Sequence, residues 1–362
     1  MTLKHLRIFP AVVALSQIFL LSACANVPYY AQAISGHFHV IHHTRTIETV
    51  LANPTVDPNI KQALNKVIQI RQFASRELKL PDNLSYTSYA DLGRPFVVWN
   101  VFAAPEFSVT PKRWCFLQIG CVSYRGFFSQ TQAEQYAESL RNEGYDVYVG
   151  GVRAYSTLGW FSDPVLNTFI GSSEMSLARL IFHELAHQVV YVAGDTVFNE
   201  SFATMVEQEG IKRWFAANGT MLQQTELHAK QEREVLFVDL IARYRKRLYE
   251  LYQLDVDDTQ KRAEKQLIFR ELRVEFFHLK TIRPDFENYD KWFAQSLNNA
   301  TLSTVSIYTQ LIPAFQAILA QHDQDMETFF NAVIKISKLS KGERTLLLQR
   351  AMEKYRHWKT AE

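Results

Sequence analysis

The chain has 362 residues, 47% of them hydrophobic and 13% aromatic, enough for one large core or two smaller ones. Only 21% are charged, and 39 basic against 37 acidic side chains leave a formal net charge of +2. So balanced a chain offers no electrostatic case for binding nucleic acid.

The N-terminus reads "MTLKHLRIFPAVVALSQIFLLSAC". Lys4 and Arg7 form a short positive region, and an apolar run follows from Ile8 to Leu21. The run is short for a membrane span and fits a secretory signal peptide over residues 1–23. No acid precedes Cys24, so losing Lys4 and Arg7 takes the 39 basic residues down by 2 to 37, against 37 acidic ones. Leu21-Ser22-Ala23-Cys24 resembles a bacterial lipobox. That resemblance implies that Cys24 is lipidated on sulfur and becomes the mature N-terminus, held on a membrane surface by its acyl chains. By the rule for Gram-negative lipoproteins, Ala25 rather than Asp favours the outer membrane, on its periplasmic face. The alternative is a plain signal peptide with an incidental cysteine.

Beyond a short polar tether, "HFHVIHH" (37–43) holds four of the eleven histidines. A second metal site is one reading. A His-rich strand or helix edge is favoured, because no carboxylate cluster accompanies it. Asn59 to Leu80 has apolar residues at helical spacing and no Gly or Pro, which predicts a helix ended by Pro81. "RPFVVWNVFAAPEFSV" predicts a strand stopped by Pro105. Cys115 and Cys121 follow in "RWCFLQIGCVSYRG". In an exported chain a short-loop disulfide is favoured over two buried thiols or a metal pair. "TQAEQYAESLRNEG" predicts a helix closed by Gly144, and "YDVYVGG" and "VRAYSTLGWF" predict two short strands. From Ser173 the pattern is almost wholly helical, over 174–193, 196–216, 223–253, 258–281, 286–298, 301–321, 325–338 and 341–357. The expected fold class is α+β and predominantly helical. A mixed part (24–172) and a helical part (173–362) form one continuous catalytic unit. The charged pair 223–253 and 258–281 reads as a hairpin with one solvated face, or else as a partner-binding coiled coil.

The chemistry gathers near the junction, in "HELAHQVVYVAGDTVFNESFATMVEQEG" (183–210). His183 and His187 are four apart and share one helix face, so their ring nitrogens can converge on one ion. Zinc favours imidazole nitrogens in tetrahedral geometry. Glu184 is turned off that axis and can approach an attacking water without ligating the metal. Gly194 breaks the helix, Asp195 or Thr196 caps the next one, and Glu200 falls in its early turns. A carboxylate there completes a three-ligand zinc site with one position open, as catalytic zinc requires.

"HELAH" followed by "FNESFATMVE" resembles the gluzincin metallopeptidases, whose H-E-x-x-H precedes a helix bearing N-E-x-x-A or N-E-x-x-S. The resemblance implies a zincin-like fold. It makes His183, His187 and Glu200 the zinc ligands and Glu184 the general base. Three departures stand: the spacing between His187 and Glu200 is shorter than in the alanyl-aminopeptidase-like enzymes, Thr204 replaces the thermolysin-type Asp, and no G-A-M-E-N segment is present. Segments such as "SYADLGRPFVVWNVFAAPEFS", "WCFLQIGCVSYRGFF" and "LNNATLSTVSIY" are similar to the bacterial family of predicted aminopeptidases, often lipoproteins. That likeness covers most of the chain and implies a peptide substrate cleaved at the cell envelope.

In gluzincins an oxyanion donor comes from a later helix, and here Tyr308 is the first candidate, with His278 and Tyr289 as alternatives. Glu207, seven residues beyond Glu200 on the same face, either orients a ligand histidine or is surface charge. Asn298 and Asn299 open an apolar helix, as an N-cap or as substrate contacts. "VRAYSTLGWF" is the expected strand for substrate pairing, with "WNVFAAPEF" as runner-up. Glu106 at the end of the latter would bind a free N-terminus. The rival readings are a zinc endopeptidase, and a non-catalytic envelope lipoprotein with a structural zinc or a helical partner surface.

Overall fold

The structure, a computed structural model, describes residues 27–116 and 119–359. The expected signal peptide and Cys24 lie outside the described residues. The chain opens with α1 (Val27–His42), β1 (Thr44–Thr46), α2 (Ile47–Ala52) and α3 (Pro58–Arg76). Asp57 caps α3, and Pro58 occupies its first turn, where a missing N–H costs nothing. The helix ends at Arg76 rather than Leu80, because Lys79 turns left-handed at φ 56°. Next come β2 (Ser88–Ala90), β3 (Val98–Pro105), β4 (Trp114–Phe116), β5 (Gly120–Val122), β6 (Arg125–Phe127), α4 (Gln130–Asn142), β7 (Tyr145–Val152), β8 (Val165–Leu166) and α5 (Asn167–Ile170).

The strands form three small sheets, ordered β1-β2-β8, β6-β3-β7 and β4-β5. In the second, β3 pairs antiparallel with β7 from Val98↔Val152 to Pro105↔Tyr145 and with β6 from Trp99↔Phe127 to Val101↔Arg125. Strand alternation sorts its side chains: Trp99, Val101 and Ala103 pack with Ala133 and Ala137 of α4, while Phe102 and Ala104 face the other way. The second strand expected in "VRAYSTLGWF" is absent; β7 ends at Val152 and a loop follows. Local bonds replace pairing there. Thr157 Oγ1 donates to Phe161 O at 3.0 Å and accepts from Phe161 N at 3.2 Å, while Leu158 (φ 56°) and Gly159 (φ 81°) turn left-handed.

The helical part comprises α6 (Glu174–Val189), α7 (Thr196–Asn218), α8 (Met221–Gln253), α9 (Asp258–Ile282), a 3₁₀ turn (Pro284–Tyr289), α10 (Asp290–Ala294), α11 (Asn299–Thr309), α12 (Ile312–Gln321), α13 (Met326–Ser337) and α14 (Lys341–Lys359). Three expected helices differ. The one expected over 174–193 stops at Val189, four residues short, because Val190 rather than Gly194 breaks it by turning extended. Residues 286–298 form the 3₁₀ turn, α10 and a capping segment, since Asn298 is extended to cap α11. Residues 301–321 split at Gln310–Leu311 because Pro313 sits in the first turn of α12. Leu311 N–H there donates instead to Ser201 Oγ at 3.2 Å.

The main core draws on both parts of the chain, joining Leu64 and Ile70 of α3 to Ile181 and Phe182 of α6, Phe202 of α7, Phe315 of α12 and Phe329 of α13. Helices α8 and α9 form an antiparallel hairpin over a separate cluster including Leu240, Leu272 and Phe276. Its solvent edge carries Arg243–Glu275 at 2.6 Å and Arg247–Glu271 at 2.5 Å.

Candidate metal centre and active site

Ser173 caps α6, its side chain accepting from Ser176 N, and the helix ends at Val189 as Val190 turns extended. The link to α7 is fastened from three sides. Asp195 caps α7 and accepts from Arg344 of α14 at 2.6 Å. Asn199 Oδ1 accepts from Val192 N at 2.8 Å and its amide donates to Val192 O at 2.9 Å. From outside, the β4–β5 hairpin, closed by a Cys115–Cys121 disulfide, grips Gly194. Gly194 N donates to Ile119 O at 3.1 Å, and the Arg113 guanidinium donates to Cys121 O at 3.0 Å and Gly194 O at 2.5 Å. Gly120 (φ 71°) permits this approach, since a Cβ there would lie 2.5 Å from Gly194 N.

This link sets α7 against α6 and brings three ligand atoms together. His183 Nε2 and His187 Nε2 lie 3.2 Å apart, and Glu200 Oε2 lies 3.3 and 3.6 Å from them. Tetrahedral zinc with bonds of about 2.0–2.2 Å sets its ligands roughly 3.3–3.6 Å apart, so the set fits that ion. Glu207 Oε2 stands 3.0 Å from His183 Nδ1. A carboxylate only accepts, so it keeps the proton on Nδ1 and turns the Nε2 lone pair to the centre. Arg179 Nε donates to Glu207 Oε1 at 2.6 Å and also pairs with Glu234. His187 Nδ1 is buried without a described partner.

The electrostatics favour positive charge at this point. Burial opposes a charged His183, but hydrogen bonds to Glu200 and Glu207 outweigh it and hold its pKa well above the ordinary value. Burial likewise opposes ionised Glu200, and the two histidines overcome it, pulling the carboxyl down to about 2. Glu184 moves the other way: burial, only partly offset by the two histidines, raises its pKa.

His183, Glu184, His187, Glu200 and Tyr308 line one cleft of about 750 Å³. The Tyr308 ring lies 6.1 Å from that of His183. Tyr124 and Tyr191 also line the cleft, and nothing in their local sequence marks them. Burial raises the Tyr124 and Tyr308 hydroxyls well above their ordinary range. Asp163 lies buried behind the cleft loop and accepts from Thr157 N at 3.1 Å. Arg179 carried a readable signal, four residues before His183 on the same helix face.

Several expected residues lie elsewhere. Glu106 is held by Arg262 at 2.7 and 2.9 Å and does not line the cleft, so it is not placed for a substrate amine there. His278 is exposed on α9, and Tyr289 stacks on Phe237 at 4.1 Å. Asn298 caps α11, accepting from Thr301 N at 2.9 Å, and donates to Val147 O at 3.0 Å. Asn299 N–H donates to Asp146 at 2.9 Å, and its side chain accepts from Tyr252 OH at 2.9 Å. The "HFHVIHH" histidines sit on the last turns of α1 and just beyond: His37 Nδ1 meets Tyr155 OH at 2.7 Å, and the His39 and His43 rings lie 4.3 Å apart.

The strands expected to receive substrate are also changed. "VRAYSTLGWF" is the cleft loop, and β3 is the sheet centre with both edges paired. The free edge of β6 faces the cleft, but Gln32 of α1 occupies it. Its amide donates to Gly126 O at 3.3 Å and accepts from Phe128 N at 3.0 Å, the pairing an added strand would make.

A protein family described as "putative aminopeptidase" matches the chain over residues 28–348. No curated protein and no solved structure matches it.

Proposed function

Because the chain belongs to the family described as "putative aminopeptidase", we propose that it is a zinc-dependent aminopeptidase with a zincin-like, gluzincin-type site. In this reading, lipid on Cys24 holds it on the periplasmic face of a bacterial outer membrane. The reading is carried by the convergence of His183 Nε2, His187 Nε2 and Glu200 Oε2 on one point of the cleft, with Glu184 beside it. These three residues would hold Zn²⁺, which when bound polarises a peptide carbonyl and makes water a better nucleophile at neutral pH. Glu184 takes a proton from the attacking water and passes it to the leaving amine nitrogen. Burial raises its pKa, which makes it a better proton acceptor than an exposed carboxylate. Tyr308, kept protonated by its raised pKa, donates toward the developing oxyanion.

One observation favours endopeptidase action as a second reading. Among the described residues lining the cleft, the carboxylates are Glu184 and Glu200, both taken up by this chemistry. No other acid there is placed to hold a free N-terminus.

Glu184→Gln is expected to keep its metal, counted by elemental analysis, and to lose at least ~100-fold in peptide hydrolysis. Full activity in that variant would sink the mechanism. Cleavage one residue at a time from free N-termini supports the aminopeptidase reading. Equal cleavage of N-acetylated peptides supports the second.

A further inference from the structure

Helix α1 has two apolar faces. Tyr29, Ala33 and His37 of the inner face line the cleft, and Gly36 abuts Phe128 so closely that a Cβ would overlap its ring. The outer face is bare. Val27 (59%), Ile34 (57%), Phe38 (60%) and Ile41 (38%) are exposed, and their spacing of seven, four and three residues puts them on one stripe. The cleft loop extends this stripe, with Trp160 78% and Phe161 50% exposed. The ring of Phe161 lies 4.6 Å from that of His37, so loop and helix are neighbours.

A contiguous apolar surface of this kind marks a contact site, and two features of the chain say what covers it. From Ala25 to Thr44 there is no Asp, Glu, Lys or Arg. Val27 also stands three residues after Cys24, a reach of roughly 10 Å. If Cys24 carries acyl chains, they enter the bilayer within that distance of the stripe.

We propose that the outer stripe of α1, with Trp160 and Phe161, lies in the interfacial layer of the bilayer that holds Cys24, so that the cleft opens along the membrane surface. The proposal rests on the lipid anchor of the reading above and is independent of the peptidase chemistry. An acyl anchor fixes a protein to a membrane without orienting it. An amphipathic helix beside the anchor, with Trp and Phe at headgroup depth, fixes the orientation. The absence of charge in the stripe makes this contact independent of anionic lipid, unlike that of a basic helix.

The test uses the full chain as exported and processed, in phosphatidylcholine vesicles with acyl chains brominated at a known depth. Wild type minus Trp160→Phe isolates the fluorescence of Trp160. That share is expected to shift to the blue and to be quenched most by bromines near the headgroup end of the chains. Ile34→Ser/Phe38→Ser should abolish the quenching with an unchanged thermal melt. The mass of the N-terminal peptide reports lipid on Cys24 separately. Lipid on Cys24 with an unquenched Trp160 overturns the membrane contact alone. No lipid and no quenching overturns the anchor together with the contact. An unquenched Trp160 in a dimer that the double substitution dissociates assigns the stripe to a second copy and also overturns the proposal.

Discussion

His183 presents Nε2 to the cleft because Glu207 holds its other nitrogen, and Glu207 is steady because Arg179 holds its second oxygen. Glu207→Gln leaves all three ligand atoms in place but weakens that hold. It should weaken zinc binding by about 10–100-fold, measured by chelator competition; an unchanged affinity would reduce Glu207 to a structural charge. A second residue ties the cleft loop to pH. Burial, which outweighs the Thr157 hydrogen bonds, raises the Asp163 carboxyl from 3.8 to about 6. A carboxyl shifted upward favours the folded state when protonated. Its contribution is complete below its unfolded value and is lost as pH rises through about 6. Asp163→Asn is neutral throughout, so between about pH 4 and pH 7 it should gain on wild type, by on the order of 3 kcal/mol at most. Denaturant melts at the two pH values measure this, and parallel stabilities would refute it. The convergence of His183, His187 and Glu200 was legible in sequence, because four-residue spacing and a short turn impose proximity. Glu106 misled because nothing local reveals Arg262, 156 positions away, which captures it. Tyr124 was invisible for the same reason: its place depends on how β6 pairs with β3.

At the scale of elements, helices opened by a capping Ser or Asp were read closely, as α4, α7, α13 and α14 illustrate. The failures fell where a side chain or proline competes with the backbone pattern. Thr157 turned an apparent strand into a loop, and Pro313 cut one expected helix into α11 and α12. The β4–β5 hairpin shows what a small element contributes. Two helices carry the three candidate ligands, but the turn between them is held by a hairpin that starts at Trp114. Replacing both Cys115 and Cys121 by Ser should cost about 2 kcal/mol, as expected for so short a loop. If the hairpin steadies the turn at Gly194, hydrogen exchange at Gly194 and Asp195 should quicken as well. Lost stability with unchanged exchange at those amides would separate the disulfide from the metal helices.

Across the whole molecule, the two parts that meet at residue 173 share one core, while the α8–α9 hairpin, apart from Leu227, packs into a second cluster with Phe286, Phe293 and Leu302. A metal held between α6 and α7 therefore joins the centre of that shared core. A ligand that binds only the folded chain stabilises it by roughly 4 kcal/mol at a thousandfold excess over its Kd. Zinc should raise the melting temperature by several degrees, and a chelator should reverse the rise. Glu200→Gln should respond far less, and an equal response would place the binding elsewhere. The hairpin that grips Gly194 has a further consequence for the cell that makes the protein. Its cross-link does not persist among cytosolic thiols, so under the proposed function it closes beside the α6–α7 turn only after secretion. The newly made enzyme then carries that turn without its outer brace among the cell's own nascent chains, and gains the brace from the redox chemistry of its destination.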